Sequence, residues 1–176
     1  MVEKEVLEKL IAKAFEMKEK AYCPYSKYHV GAGLLSKSGK IYGGMNIENS
    51  SYPACNCAER TAVFKAVSEG DKEFVAIAIC GGLEGVEPKG DETDYAFPCG
   101  ICRQVLREFN NPKEFKVYVC ATKEKFYDYT LEDLLPHSFG PEHLAWYYWF
   151  KYNYYDSIIL LMKFEFIKKF KTWIFG

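Results

Sequence analysis

Two short cysteine motifs supply the residues of a metal site. They are Cys57-Ala-Glu-Arg60 and Pro98-Cys-Gly-Ile-Cys-Arg-Gln104. The candidate ligands Cys57, Cys99 and Cys102 fall at or near the starts of two predicted helices, where exposed N–H groups and the helix dipole favour the thiolate. Three protein ligands with an open fourth position are typical of catalytic zinc, whereas structural zinc has four. The motifs therefore predict a catalytic zinc site.

Glu59 stands two residues after the first ligand. A carboxylate beside a metal-activated water can accept a proton and return it to the substrate, and nearby thiolates should raise its pKa. Arg60 and Arg103 each follow one of these groups and are predicted to offset the thiolate charge through hydrogen bonds to sulfur. The alternative is a non-catalytic, zinc-stabilised assembly module, which would not need Glu59.

The elements that must position these residues follow from hydrophobic periodicity. The pattern predicts helices at residues 6–15, 57–67 and 99–109, and strands at 30–35, 41–44, 74–80 and 115–120. The second strand pairs with the first as a hairpin through a turn at 37–40, and strand 74–80 is apolar enough to be covered on both faces. This order predicts an α/β domain, a mixed sheet with helices against its faces.

Composition narrows the class of protein. The chain has 176 residues, enough for one domain with a sizeable core, and its seven cysteines are an odd number that favours metal binding over disulfides. A net charge of −1 gives no general attraction to nucleic acid. The N-terminus lacks a secretory signal, and no apolar run reaches membrane-spanning length. We therefore expect a cytoplasmic protein with neither a nucleic acid nor a membrane partner.

The motifs together carry a family resemblance. From Ala21 to Leu144 the chain resembles the small, homotetrameric type of cytidine deaminase. The matching segments, in order, are Ala21-Tyr-Cys-Pro-Tyr-Ser, Val30-Gly-Ala, Asn46-Ile-Glu-Asn49, Cys57-Ala-Glu-Arg-Thr-Ala62, Pro98-Cys-Gly-Ile-Cys-Arg-Gln104 and Leu134-Leu-Pro-His-Ser-Phe-Gly-Pro141. The resemblance implies a three-layer α/β/α sandwich with a five-stranded mixed sheet and one Zn²⁺ per subunit. The implied reaction is hydrolysis of cytidine and deoxycytidine to uridine and deoxyuridine plus ammonia, in pyrimidine salvage.

The resemblance also implies how the substrate is held. Asn46 and Glu48 would bind the ribose hydroxyls, although such residues alone more often cap loops. Tyr28 and Ala58 would lie against the nucleoside. Phe139 would enter a neighbour's active site, so that active sites are shared between the subunits of a homotetramer and a monomer should be inactive.

Two features depart from the family pattern. Phe97 stands where relatives usually place Ser or Thr, and its ring could narrow the pocket while its carbonyl still holds the substrate amino group. A separate alternative is another deaminase of the superfamily, acting on a nucleoside antibiotic or on a base within nucleic acid, although the motif-bearing region lacks the basic strips and aromatics expected of an enzyme that acts on a polymer. Residues 145–176 form an aromatic and basic extension beyond the domain at 1–144. Such a segment could lie on a membrane surface, cover a subunit interface or be a non-selected extension.

Overall fold

A computed structural model describes residues 2–144 of the chain. It contains the helices α1 (Lys4–Lys18), α2 (Ala58–Ser68), α3 (Gly100–Phe109) and α4 (Leu131–Leu134), and the strands β1 (Tyr28–Ser36), β2 (Ile41–Met45), β3 (Phe74–Leu83), β4 (Lys116–Cys120) and β5 (Phe126–Thr130). These elements all belong to the first of two compact units, residues 1–138, and the second unit begins at Phe139. The predicted extension at 145–176 lies outside the described residues. Within residues 2–144, no helix is long and apolar enough to cross a membrane.

The five strands form one mixed sheet in the order β2-β1-β3-β4-β5. Only β3 and β4 run parallel, and every other neighbouring pair is antiparallel. The β1–β2 connection is the predicted turn, with Gly39 at a φ of 86° that an L side chain rarely adopts. The predicted mixed sheet is therefore confirmed, and its single parallel pair is joined through α3 as a βαβ crossover.

Helices cover both faces of the sheet. In β3, Ile77 and Ile79 join the core beneath α2 and α3, and Ala76, Ala78 and Cys80 join the core beneath α1. The alternation follows from the two-residue period of a strand, and it explains why the whole segment is apolar. The predicted α/β/α sandwich, with β3 covered on both faces, is confirmed.

Glycines bring the helices unusually close to the sheet. A Cβ on Gly44 of β2 would lie 2.2 Å from the Ala58 carbonyl oxygen and 2.4 Å from the Ala62 amide nitrogen of α2. Contacts this short with backbone atoms cannot be relieved by a side-chain rotation. The first turn of α2, which follows Cys57, therefore rests directly on the sheet.

Several elements are longer than predicted, and one strand is added. β3 continues through Leu83 because Leu83 pairs with Tyr28 at the start of β1. The edge strand β5 was implied by the family resemblance but not by the local pattern, and it is followed by the single-turn helix α4. A capping box between Thr130 and Asp133 begins that helix.

Candidate metal centre

Two helix starts bring the three candidate ligands together. Cys57 is the N-cap residue of α2, Cys99 is the N-cap residue of α3, and Cys102 lies in the first turn of α3. Their Sγ atoms all lie within 4.8 Å of one another, and those of Cys57 and Cys99 are 3.9 Å apart. A tetrahedral ion with Zn–S bonds of about 2.3 Å places its sulfur ligands about 3.8 Å apart. The three sulfurs therefore fit a thiolate-bound zinc ion.

The electrostatics of the cluster also call for a cation. Hydrogen bonds from Cys102 and Arg60 lower the pKa of the Cys57 thiol to about 5. The same contact with Cys57, together with burial, raises the pKa of Cys102. At this spacing, the negative charge of one thiolate makes ionisation of the neighbouring thiol unfavourable. A metal ion bound between the sulfurs would offset this repulsion.

Glu59 is the buried acid of the site. It lies in the first turn of α2 and only 4 % of its surface is exposed. Burial raises the pKa of this carboxyl to about 7, and the charge of Cys57 acts in the same direction. It lines a cavity of about 280 Å³ together with Cys57 and Cys99. A carboxyl group that can gain or lose a proton near neutral pH therefore faces the same space as the sulfurs.

The two arginines of the motifs have different partners. Arg60 donates from Nη2 to the Cys57 sulfur at 3.6 Å and to the Cys55 carbonyl at 3.2 Å. Arg103 donates from Nε to the Pro98 carbonyl and from Nη1 to the Leu134 carbonyl, both at 2.7 Å. The hydrogen bonds described for Arg103 thus end on carbonyl oxygens, and only Arg60 has one that ends on sulfur. Arg103 fixes the loop before Cys99 instead.

Asn46 and Glu48 are engaged with backbone. The Asn46 Oδ1 accepts from the Val30 amide and its Nδ2 donates to the Tyr28 carbonyl, both at 2.8 Å. Glu48 Oε2 accepts from the amide of Tyr25 at 2.9 Å and from that of the following serine at 3.2 Å. Asn46 also lines the cavity. Glu48 is not among the cavity-lining residues of the described chain.

The apolar lining has both expected and unexpected members. Tyr28 and Ala58, which were expected to lie against the nucleoside, line the cavity, and so does Phe97. Tyr95 and Ala96 complete the same wall, although no motif identified them. The signal available in the sequence was their position, since they immediately precede the second cysteine motif. Phe139 belongs to the second unit, where it is exposed and stacks on His143 with ring centroids 5.2 Å apart.

An α/β/α sandwich in which three sulfurs can bind a metal, two of them lining one cavity with a buried carboxylate, defines a metal-dependent hydrolytic enzyme. Residues 4–119 match the family described as the cytidine and deoxycytidylate deaminase zinc-binding region. The chain belongs to this family. Its metal cofactor is accordingly zinc, as the cysteine motifs predicted.

Individual relatives agree with this assignment. The chain is 46% identical to a cytidine deaminase from Sporosarcina psychrophila, over 80% of this chain and 96% of that protein. It is 44% identical to one from Halalkalibacterium halodurans, over 76% and 93%. The crystal structure of a cytidine deaminase from Burkholderia pseudomallei superposes with a TM-score of 0.64 at 41% identity, covering 74% of this chain and 97% of that one. The predicted fold and family are therefore confirmed.

Proposed function

We propose that this protein hydrolyses cytidine and deoxycytidine to uridine and deoxyuridine plus ammonia, and that it serves pyrimidine salvage. The observation that carries the proposal is the position of Glu59, buried and facing the same cavity as the Cys57 and Cys99 sulfurs. A site that only stabilised the fold would have no use for a carboxyl group buried at that place. The relatives named as cytidine deaminases support the choice of substrate.

Each residue of the site has a role in this reaction. Cys57, Cys99 and Cys102 hold zinc, which when bound supplies a water molecule of lowered pKa as the nucleophile. Glu59 takes a proton from the attacking water and gives it to N3 of the base. It then takes the proton of the new C4 hydroxyl group and gives it to the departing amine, so that the carboxylate ends in its starting state. The cavity wall at Tyr28 and Ala58 packs against the base and limits the access of bulk water.

The sugar is assigned to the loop after β2. Asn46 lines the cavity and offers both an amide oxygen and an amide nitrogen, and Glu48, two residues further along the loop, offers a carboxylate. These groups suit ribose hydroxyls. Arg60 and Arg103 help to position the metal ligands. Arg60 donates a hydrogen bond to the Cys57 sulfur, and Arg103 donates one to the Pro98 carbonyl, next to Cys99.

We further propose a homotetramer with shared active sites. The cavity of about 280 Å³ lies just below the usual range of ligand pockets, about 300–1,000 Å³, and is partly open to solvent. An exposed aromatic residue such as Phe139, contributed by another subunit, would complete it. Light scattering gives the mass of the assembly, and Phe139→Ala should raise the KM for cytidine. A monomer with full activity would refute this part of the proposal.

We propose the cytoplasm as the site of action and residues 1–144 as the catalytic domain. All seven cysteines are free, which suits a reducing compartment and a site that needs three thiolates. Removal of residues 145–176 is expected to leave cytidine turnover intact. A large loss of activity in that truncated chain would give the extension a functional part.

The decisive experiment combines an ultraviolet assay with metal analysis. Cytidine, deoxycytidine, cytosine, adenosine and a cytosine-containing single-stranded oligonucleotide are supplied in parallel, and loss of absorbance is followed. We expect turnover of the two cytosine nucleosides alone. Glu59→Gln should retain zinc and lose turnover by at least about 100-fold, the lower bound for a general acid–base group. Glu69→Gln, an exposed acid at the end of the same helix, is the matched control.

A further inference from the structure

The ring of Phe97 is the part of the cavity wall that the proposed chemistry does not use. Phe97 lines the same cavity as Cys57, Glu59 and Cys99, and 40 % of its surface is exposed. A hydrocarbon ring neither donates nor accepts a conventional hydrogen bond and moves no proton. Its effect on a bound base must therefore come from its shape and its apolar surface.

Aromatic side chains on the edge strand support this ring. The Phe97 ring stacks on Tyr127 at 6.4 Å with an interplanar angle of 28°, and it packs at 6.0 Å against Tyr129. Both tyrosines belong to β5, and their own rings are 5.7 Å apart. Because Phe97 has two rings against it, it cannot swing towards β5 to make room for a larger ligand without displacing them.

The supporting stack is itself held in place. Tyr127 packs on Tyr95 with centroids 4.5 Å apart, and its hydroxyl donates to a Glu92 carboxylate oxygen at 2.7 Å. Glu92 begins the short 3₁₀ turn that precedes the second cysteine motif. The Phe97 ring is thus held by contacts with the edge strand β5, and β5 is in turn bonded to the loop that leads to Cys99.

The orientation of the base follows from the proposed function, on which this inference rests. C4 of cytosine must face the metal ligands, which lie between the starts of α2 and α3. Glu59 on α2 takes N3, and C5 is the other ring neighbour of C4. C5 therefore points to the α3 side, where Phe97 stands two residues before Cys99.

We propose that Phe97, supported by Tyr127 and Tyr129, is a specificity-determining residue that excludes pyrimidine nucleosides with a substituent at C5. The wall accepts a base that carries hydrogen at C5 and resists one that carries a methyl group. A single methyl group changes kcat/KM by roughly 10–200-fold when an apolar wall discriminates against it. The expected preference for cytidine over 5-methylcytidine lies in that range.

The test measures kcat/KM for cytidine and 5-methylcytidine with zinc-loaded protein. Wild type should prefer cytidine by at least about 10-fold, and Phe97→Ala should reduce this preference to within about 3-fold. Phe97→Leu, which retains apolar volume, should lie between them. Phe64→Ala, which removes an exposed phenylalanine from α2 outside the cavity lining, is the matched control and should keep the wild-type preference.

The support is tested separately. Tyr127→Ala should weaken the preference because Phe97 gains room to move, whereas Tyr127→Phe keeps the ring and should behave as wild type. Equal turnover of both nucleosides by wild type would overturn the inference, and so would an unchanged preference in folded, zinc-loaded Phe97→Ala or Phe97→Leu. In each of these cases cytidine is still turned over, so the proposed function stands. Failure to turn over cytidine at all would refute the proposed function and this inference with it.

Discussion

Asn46→Ala is expected to lower stability as well as substrate affinity. The Asn46 side chain accepts from the Val30 amide and donates to the Tyr28 carbonyl, both at 2.8 Å, and its own amide donates to the Val30 carbonyl. The side chain thus continues the backbone pairing of β1 beyond the end of β2. Alanine removes two of these three hydrogen bonds and leaves two half-buried backbone groups without their partners.

The magnitude follows from the number of bonds. A typical hydrogen bond contributes about 0.5–1.5 kcal/mol net, so two of them amount to about 1–3 kcal/mol. For a domain of this size, about 3 °C of Tm is lost for each kcal/mol, so Asn46→Ala should lower Tm by about 3–9 °C. Asn46→Asp keeps the acceptor for Val30 but directs a carboxylate oxygen at the Tyr28 carbonyl, and it should be destabilised at least as much.

Thermal unfolding of zinc-loaded protein without substrate is the assay. Asn49→Ala is the matched control, because Asn49 is exposed and its side chain makes one turn contact, with the Ser51 amide at 2.9 Å. Its Tm should change by no more than about 2 °C, as for most surface substitutions. If Asn46→Ala raised the KM for cytidine but kept the wild-type Tm, Asn46 would be a substrate-binding residue alone and the reasoning from its backbone contacts would be refuted.

Three further perturbations test other contacts. Arg60→Met should lower zinc affinity by about 10–100-fold in chelator competition, because Arg60 bonds to a ligand sulfur, whereas Arg103→Met should change it far less. Gly44→Ala should cause a loss of both Tm and zinc content, since its Cβ would strike the backbone of α2; a stable variant with full zinc content would show that the contact is easily relieved. Hydrogen bonds from Ser36, Tyr42 and Ser38 lower the pKa of Asp71. The ionised carboxylate therefore stabilises the fold at pH values above the ordinary aspartate pKa of about 3.9. That contribution is lost as the pH falls through the lowered pKa of the folded state. Asp71→Asn should therefore reduce Tm at pH 7, and the difference from wild type should narrow below about pH 4 in a Tm–pH series.

The metal ligands could be predicted from sequence because their placement is local. Cys57 and Cys99 each occupy the N-cap position of the helix that follows them, and Cys102 comes one turn after Cys99. Helix periodicity was enough to place each sulfur at a helix start. That the two helix starts meet depends on the sheet, and here the family resemblance supplied what the spacing could not.

The partners of the two arginines differ in how far away they lie along the chain. Arg60 and Arg103 look equivalent, since each directly follows a residue of the metal motifs. Arg60 lies three residues after the N-cap Cys57, one helical turn away, and reaches its sulfur. Arg103 instead finds the carbonyl of Leu134, 31 residues along the chain. That partner is set by tertiary packing, which no pattern around Arg103 contains.

The edge strand illustrates the same limit. The β5 segment, Phe-Tyr-Asp-Tyr-Thr, is only five residues long and its side chains are mostly half-buried, so its apolar periodicity is weak. The part played by Tyr127 and Tyr129 depends on the tertiary structure, because pairing of β5 with β4 brings their rings beside Phe97. The motif showed that Phe97 was unusual, but the residues that hold its ring lie 30 or more positions away.

The position of the whole site follows from the single parallel strand pair. β3, α3 and β4 form a crossover, so α3 must begin beyond the carboxyl end of β3, the edge at which α/β proteins bind ligands. Tyr28 marks the same edge, since it pairs with Leu83 at the end of β3 and lines the cavity. The connection from Leu83 to Cys99 therefore ends at the site, where Tyr95, Ala96 and Phe97 line the cavity just before the second pair of ligands. Because that connection carries Phe97, we expect changes in its sequence to alter the range of bases accepted while the sulfurs and Glu59, to which we assign the reaction, stay in place.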